Sequence, residues 1–330
     1  MFSSALDVET SPFDLQFVRG QEHVKRALEV AAAGGHAVCM TGSPGSGKTL
    51  LARALGTLLP SLATDASDEV AAIARVAKQL ADDAPLPKQR PFVAPHPSTS
   101  RLGLTGTYHG GQWRPGILSL AHQGVLLLDE LPAFGAKQAL IVPAVANRLL
   151  TMSSATGAIT ASADVLLVAT QRPCPCGWYG DEERTCSCSP ALIARYHRQV
   201  DRALKAAIDI HITVPRVRYE QLASNRLGEP SGAVRTRVAV AWQRQAGRDA
   251  VASPWRVNAT LSLAALRAHC QLDGAGQALM KAAMRQLSLS ARGYHRVLKV
   301  ARTIADLAAA AQIGPAHLAE AIQYRSQYDD

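Results

Sequence analysis

A chain of 330 residues, 48% apolar and 18% charged, can bury at least one sizeable core and by its length divides into about two domains. Its 35 Lys and Arg against 26 acids leave a net charge of +9, which favours a polyanionic partner over an acidic protein surface. No apolar run approaches the roughly 18 residues of a membrane span, and the start, Met1 to Ser4, lacks the basic and apolar stretches of a signal peptide. No membrane partner and a cytoplasmic location are therefore expected.

Residues 1–12 read as a polar, flexible N-terminus. Apolar residues at Val24, Ala27, Leu28 and Ala31 then mark a helical stripe that stops at Gly34 and Gly35. A short strand is predicted over His36–Met40, and it runs into Gly42-Ser43-Pro44-Gly45-Ser46-Gly47-Lys48-Thr49, a complete G-x-x-x-x-G-K-[ST] loop. Glycines let successive backbone N–H groups turn inward around a phosphate chain. Lys48 adds a mobile positive charge, and the Thr49 hydroxyl is a ligand for magnesium. From Leu50 the spacing is helical, so the phosphates would meet a helix N-terminus. The predicted nucleotide-binding residues are Gly42 through Leu50.

Residues 63–90 read as mostly helical, and three prolines make residues 91–100 an extended connection. The glycine-rich stretch from Arg101 to Pro115 carries Arg101, His109 and Arg114 beside Tyr108 and Trp113. It is either a surface hairpin or a contact for single-stranded nucleic acid, where cations follow the backbone and rings stack on bases. Gly124–Glu130 (GVLLLDE) is a buried strand with two acids at its carboxyl end. Asp129 is assigned to magnesium and Glu130 to polarising the attacking water. Further strands are predicted over residues 163–170 and 208–215. Their alternation with helices argues for a parallel α/β sheet wound on both sides. Beyond Gly228 only helical periods follow, at residues 234–245, 260–272, 276–288, 291–310 and 315–324. The expected division is an α/β domain over 13–228 and a small all-α domain over 229–330.

Cys174, Cys176, Cys186 and Cys188 fall within fifteen positions. In a reducing compartment, four clustered thiols are either a tetrahedral, structural zinc site or free thiols packed in a loop. Cys39 and Cys270 are isolated among apolar neighbours and read as buried small hydrophobes.

Several of these blocks together resemble the magnesium-chelatase-like AAA+ ATPases, in the branch of the ComM and YifB competence proteins. They are the segment from Val18 to His23, the phosphate loop, Pro91–His96, Arg114–His122, Asp129–Pro132 and Cys174–Gly177, continued by Leu289–Arg296, Val300–Leu307 and His317–Arg325. The resemblance implies an AAA+ P-loop ATPase, a doubly wound parallel sheet followed by a helical lid. The same resemblance implies binding of ATP and Mg2+ and assembly as a homo-oligomeric, hexameric ring that acts on DNA in branch migration. It also implies that Arg292 is the lid sensor of the γ-phosphate, with Arg296 and Arg302 as weaker candidates on the same helix.

Three departures from that family are visible. Relatives carry an N-terminal domain of protease-like fold, which is expected to be absent because the ATPase module begins almost at Met1. Arg172 stands where the family has a water-orienting asparagine. Ala207 stands where the family's arginine finger reaches the neighbouring subunit's site. The loss of a finger slows hydrolysis by orders of magnitude. Lys205, Arg202, Arg172 or a partner subunit would have to supply the missing charge. The expectation is therefore an ATPase with weakened hydrolysis; the alternative is a nucleotide-gated assembly or chelatase-like remodelling subunit with little turnover.

Overall fold

The computed structural model describes residues 12–154, 157–248 and 257–325. The predicted flexible start therefore lies outside the described residues, Pro12 excepted. In chain order the first elements are α1 (Glu22–Gly34), β1 (Val38–Thr41), α2 (Lys48–Leu58), α3 (Thr64–Val76), β2 (Phe92–Val93) and α4 (Arg101–Thr105). The hairpin β3 (Gly106–His109) and β4 (Gln112–Pro115) precedes α5 (Ile117–Leu120), β5 (Gly124–Leu128) and α6 (Gln138–Asn147). A second hairpin, β6 (Leu149–Ser154) and β7 (Gly157–Ser162), leads to β8 (Val165–Gln171), α7 (Pro190–His197), α8 (Arg202–Ala207), β9 (Ile210–Thr213) and α9 (Tyr219–Leu222). The chain closes with α10 (Ser231–Ala246), α11 (Leu263–His269), α12 (Gly274–Gln286), α13 (Ala291–Leu307) and α14 (Pro315–Gln323).

Five strands form one parallel sheet in the order β2-β5-β8-β1-β9, with Leu128 beside Ala169 and Met40 beside Thr170. Alternation along each strand divides the core in two. Val38, Met40, Val125, Leu127, Leu166 and Val168 face one layer; Cys39, Leu126, Leu128, Leu167 and Ala169 face the other. Both sets are buried, which is why these strands read as continuous apolar runs instead of alternating ones. Each buried Leu or Val contributes about 1.5–3 kcal/mol against exposure, enough for the four apolar residues of β5 to hold it between β2 and β8. This is the AAA+ α/β fold followed by a helical C-terminal region.

The helical region does not stand apart from the sheet. Helix α10 packs on α1 and α2, α13 packs on α1, and one apolar cluster runs from β1 through α1 and α2 into α10, α13 and α14. A polar stitch reinforces the contact. His36, fully buried, meets Asp209 Oδ2 at 3.1 Å and Thr303 Oγ1 at 2.8 Å, and Asn258 donates to Thr303 Oγ1 and Asp306 Oδ2. Trp242 and Gln245 donate to the carbonyls of Ala32 and Ala33, two of the last four of α1, which have no partner inside their own helix.

Some expectations shift. The first strand runs two residues later than its apolar run at its start, because Ala37 still accepts from Asp209 and Ile210 ahead of the ladder. Helix α3 ends at Val76, where Lys78 takes a positive φ of 57° and Gln79 N–H folds back onto the Ala74 carbonyl. Of the stretch Arg101–Pro115, residues Gly106–Pro115 form the hairpin, with its turn at Gly110 and Gly111 in positive φ, whereas Arg101–Thr105 are the helix α4. Hairpin β6–β7 has no counterpart in the sequence reading: its inward residues Leu150, Met152 and Ala161 are few, and the outward ones are small and weakly patterned.

Candidate functional site

The phosphate loop leaves β1 at Thr41 and enters α2 at Lys48, at the carboxyl end of the sheet. Gly42 admits no side chain, because a Cβ there would lie 2.3 Å from the Val214 carbonyl oxygen. Gly45 and Gly47 take φ of 80° and 91°, the left-handed region that lets the amides turn inward. Gln21 braces the loop by donating to Ser46 O at 2.9 Å and Pro215 O at 2.7 Å. Lys48 Nζ is held inside it by the carbonyls of Gly42 (2.8 Å) and Ser43 (3.0 Å). Burial pushes the Lys48 ammonium below the ordinary lysine range, the charges of Glu130 and Asp129 resist that, and Arg172 adds to it.

Strands β5 and β8 deliver the acids to the same end. Thr49 Oγ1 donates to Asp129 Oδ2 at 3.0 Å, joining the loop to the acid pair. Thr170, the polar residue that ends the buried part of β8, donates from Oγ1 to Asp129 Oδ1 at 2.5 Å and accepts the Glu130 N–H at 3.0 Å. One hydroxyl thus orients the side chain of one acid and the backbone of the next. Glu130 takes φ 58°, ψ 61°, a left-handed conformation that costs a non-glycine residue on the order of 1 kcal/mol and directs the chain sharply out of the strand. Arg172 Nε lies 3.2 Å from the Glu130 carboxylate. Nearby, the Tyr196 phenol is pushed up to about 12 by burial and then by the Glu130 charge.

These residues suit a magnesium triphosphate. The loop offers inward amides, a captive ammonium and the buried Ser46 Oγ, which has no hydrogen-bond partner among the described residues. Thr49 and Asp129 supply the hard oxygen donors that magnesium prefers. A bound magnesium would neutralise phosphate charge; Glu130 is the side chain placed to order a water.

The four cysteines come together as expected. Their sulfurs all lie within 4.8 Å, with Cys174–Cys176 at 3.3 Å, Cys176–Cys186 at 3.6 Å and Cys174–Cys186 at 3.7 Å. A tetrahedron of thiolates about 2.3 Å from zinc has edges of about 3.8 Å, so the donor set fits zinc. Gly177 N donates to Cys174 Sγ and Cys188 N to Cys186 Sγ, as outer partners of thiolate ligands do. Cys39 and Cys270 are buried singly, and burial pushes the Cys270 thiol up to about 11.

Other predicted residues are not brought to the loop. Arg292 lines a 670 Å³ cavity with Gly35, Ala37, Val165 and Asp209, at the amino ends of the strands, opposite the phosphate loop. Ala207 lines the same cavity, beside Arg148, Arg248, Arg296 and Lys299. Arg296 pairs with Asp209 at 3.0 Å. Arg302 is buried and binds Asp306 and the carbonyls of Ala310 and Ala311, which makes it a structural cation of the helical region. Thr170, Tyr196 and Gln21 were missed in sequence. The signal for Thr170 was available: a hydroxyl at the end of an apolar strand of the same parallel sheet.

No helix among the described residues is long and apolar enough to cross a membrane. Comparison with known proteins matches residues 14–222 to the family model of magnesium chelatase, subunit ChlI, and residues 228–325 to that of its C-terminal region. The competence protein ComM of Haemophilus influenzae is 39% identical over 318 residues, covering 95% of this chain and 60% of its own length. The uncharacterized proteins YifB of Escherichia coli and Salmonella typhimurium are each 37% identical, over 95% and 96% of this chain and 60% and 61% of their own. The chain thus spans about three fifths of the length of the curated relatives it matches. With both regions matched and the loop, acid pair and cysteine cluster in place, the chain belongs to the magnesium chelatase subunit ChlI family of AAA+ ATPase-like proteins, in the company of ComM and YifB.

Proposed function

We propose that this chain is an ATP-binding, magnesium-dependent ATPase subunit that assembles into a ring and couples nucleotide turnover to movement of DNA. The observation that carries the ATPase reading is the convergence of Lys48, Thr49, Asp129 and Glu130 on one end of the sheet, linked through the Thr49–Asp129 hydrogen bond. Arg292 supports the ring reading: its cavity faces away from the chain's own phosphate loop, so a sensor role requires the nucleotide of a neighbouring subunit. Ala207 in the same cavity leaves the finger position without a charge, and Arg148, Arg248, Arg296 and Lys299 are the other cations that line it.

DNA is the proposed polyanion. The net charge of +9, the exposed Arg101 and Arg114, and the contact between hairpins β3–β4 and β6–β7 support a basic, projecting surface. Binding to single strands should weaken with salt as counterions are released. The cysteine cluster is proposed to hold one structural zinc ion. Two observations favour a second reading, a nucleotide-gated assembly subunit with little turnover: the Arg172–Glu130 pair and the uncharged Ala207.

Calorimetry with ATP and magnesium tests the pocket, and turnover with and without single-stranded DNA, run beside size exclusion in ATP, ADP and no nucleotide, separates the two readings. Heat of binding with DNA-stimulated turnover supports the motor. Binding that changes oligomer size without turnover supports the assembly subunit, and no binding heat removes both.

A further inference from the structure

The segment between the two cysteine pairs has almost nothing apolar to hold it. From Cys174 to Cys188 only Cys174 and Gly177 are buried, yet the segment is fastened to the phosphate loop at two points. Ser43 Oγ donates to Asp181 Oδ2 at 2.5 Å, and the Asp181 side chain is 1% exposed. Gly177, in positive φ directly after the first cysteine pair, lies so close to Pro44 that a Cβ would meet its ring at 2.6 Å. The Asp181 carboxylate is fully oriented: Oδ1 accepts the N–H groups of Glu183 and Arg184, and Oδ2 pairs with Arg216 at 3.2 Å. Arg216 and Arg184 both stack on the Trp178 ring, at 4.8 and 4.6 Å from its centroid. A small loop without a core needs a cross-link to keep such a geometry, and four convergent thiols would form one on binding a metal ion.

We propose that zinc on Cys174, Cys176, Cys186 and Cys188 sets the nucleotide affinity of the phosphate loop, by holding Asp181 against Ser43. The proposal rests on the triphosphate-binding reading above. With the loop stapled, Asp181 fixes the Ser43 hydroxyl and, through Pro44, the turn that presents the amides. With the staple removed, that turn must be ordered by the nucleotide itself, and affinity falls. Linkage requires the reverse as well: bound nucleotide tightens zinc binding by the same factor.

The test uses the full chain purified with zinc and a fluorescent ATP analogue as probe. One zinc per chain is expected by metal analysis. Stripping with a zinc-selective chelator should weaken binding roughly tenfold, the scale of one charge-assisted hydrogen bond, and added zinc should restore it. Asp181→Ala should keep its zinc but bind as the stripped protein does, with no further loss on stripping. Asp181→Asn, whose NH2 cannot replace either acceptor oxygen, should fall between wild type and Asp181→Ala, and in competition with a chelator wild type should hold zinc more tightly with nucleotide than without, a difference that Asp181→Ala loses. Equal affinities for loaded and stripped protein, an Asp181→Ala variant that binds as well as wild type, or a chain without zinc each overturn the proposal while leaving the triphosphate reading intact. A zinc-loaded wild-type chain that fails to bind the probe sinks both.

Discussion

Replacing Arg172 by asparagine asks whether the ion pair on Glu130 restrains catalysis. The guanidinium lies 3.2 Å from the carboxylate that would order the attacking water, so the acid must leave this partner before it can act as a base. A bare Coulomb estimate near 4 Å at an effective dielectric of about 20 gives about 4 kcal/mol. The two side chains are 42% and 35% exposed, however, and water screens the pair to about 0.2–1 kcal/mol. Freeing Glu130 is therefore worth at most a factor of about five. R172N should raise turnover at saturating ATP by about two- to fivefold with little change in KM, measured as phosphate release in the steady state. The ratio of variant to wild type should shrink toward one in high salt, where the pair is already weakened. A variant that turns over tenfold slower at unchanged KM would refute the reasoning, because Arg172 would then be stabilising the transition state.

Three further outcomes follow from the same geometry. Glu130→Gln should abolish turnover while retaining ATP affinity within about twofold, whereas Lys48→Ala should lose binding itself; calorimetry beside a turnover assay separates them. Asp209→Ala should destabilise the fold by about 2–4 kcal/mol in urea titrations, because His36 and Arg296 lose their common acceptor. Burial alone would raise the Asp209 carboxyl, but the hydrogen bond and charge of His36, then Arg296 and Lys299, hold it below the usual carboxylate range. Its stabilisation is therefore complete above about pH 4 and is lost as the pH falls through the lower, folded value, so the wild type should lose its advantage over Asp209→Ala only in acid. Arg302→Ala should cost about 3–5 kcal/mol in thermal or urea unfolding yet leave nucleotide affinity of the folded protein unchanged, as expected for a buried structural cation and not for a sensor.

What the sequence made legible was local or repeated along the chain. Gly42 to Thr49 act within eight residues, so their spacing carries their geometry, and the run before Asp129 announces a strand buried on both faces. The helical periods of the C-terminal half likewise identify α10 to α14. The end of the sheet at which Arg292 lies was not legible, because a helical stripe tells which face of α13 is apolar and says nothing about which end of the sheet it covers. That choice is made by His36, Asp209 and Thr303, which are 173 and 267 residues apart from the first to the other two and leave no mark in any single segment. Thr170 and Arg172 were visible as residues, but their contacts with Asp129 and Glu130 exist only because β5 and β8 are neighbours. Hairpin β6–β7 was missed for a different reason: its strands are short of large apolar side chains, so its alternation is faint.

Between His36, locked to the helical region, and Gly42, where the phosphate loop begins, lies one inner strand about 13 Å long with no glycine or proline inside it. Such a strand has no joint. A tilt imposed on the loop by its ligand would reach the opposite rim as the motion of a stiff rod, and the cavity around Arg292 and Ala207 would register the occupancy of a pocket it never touches.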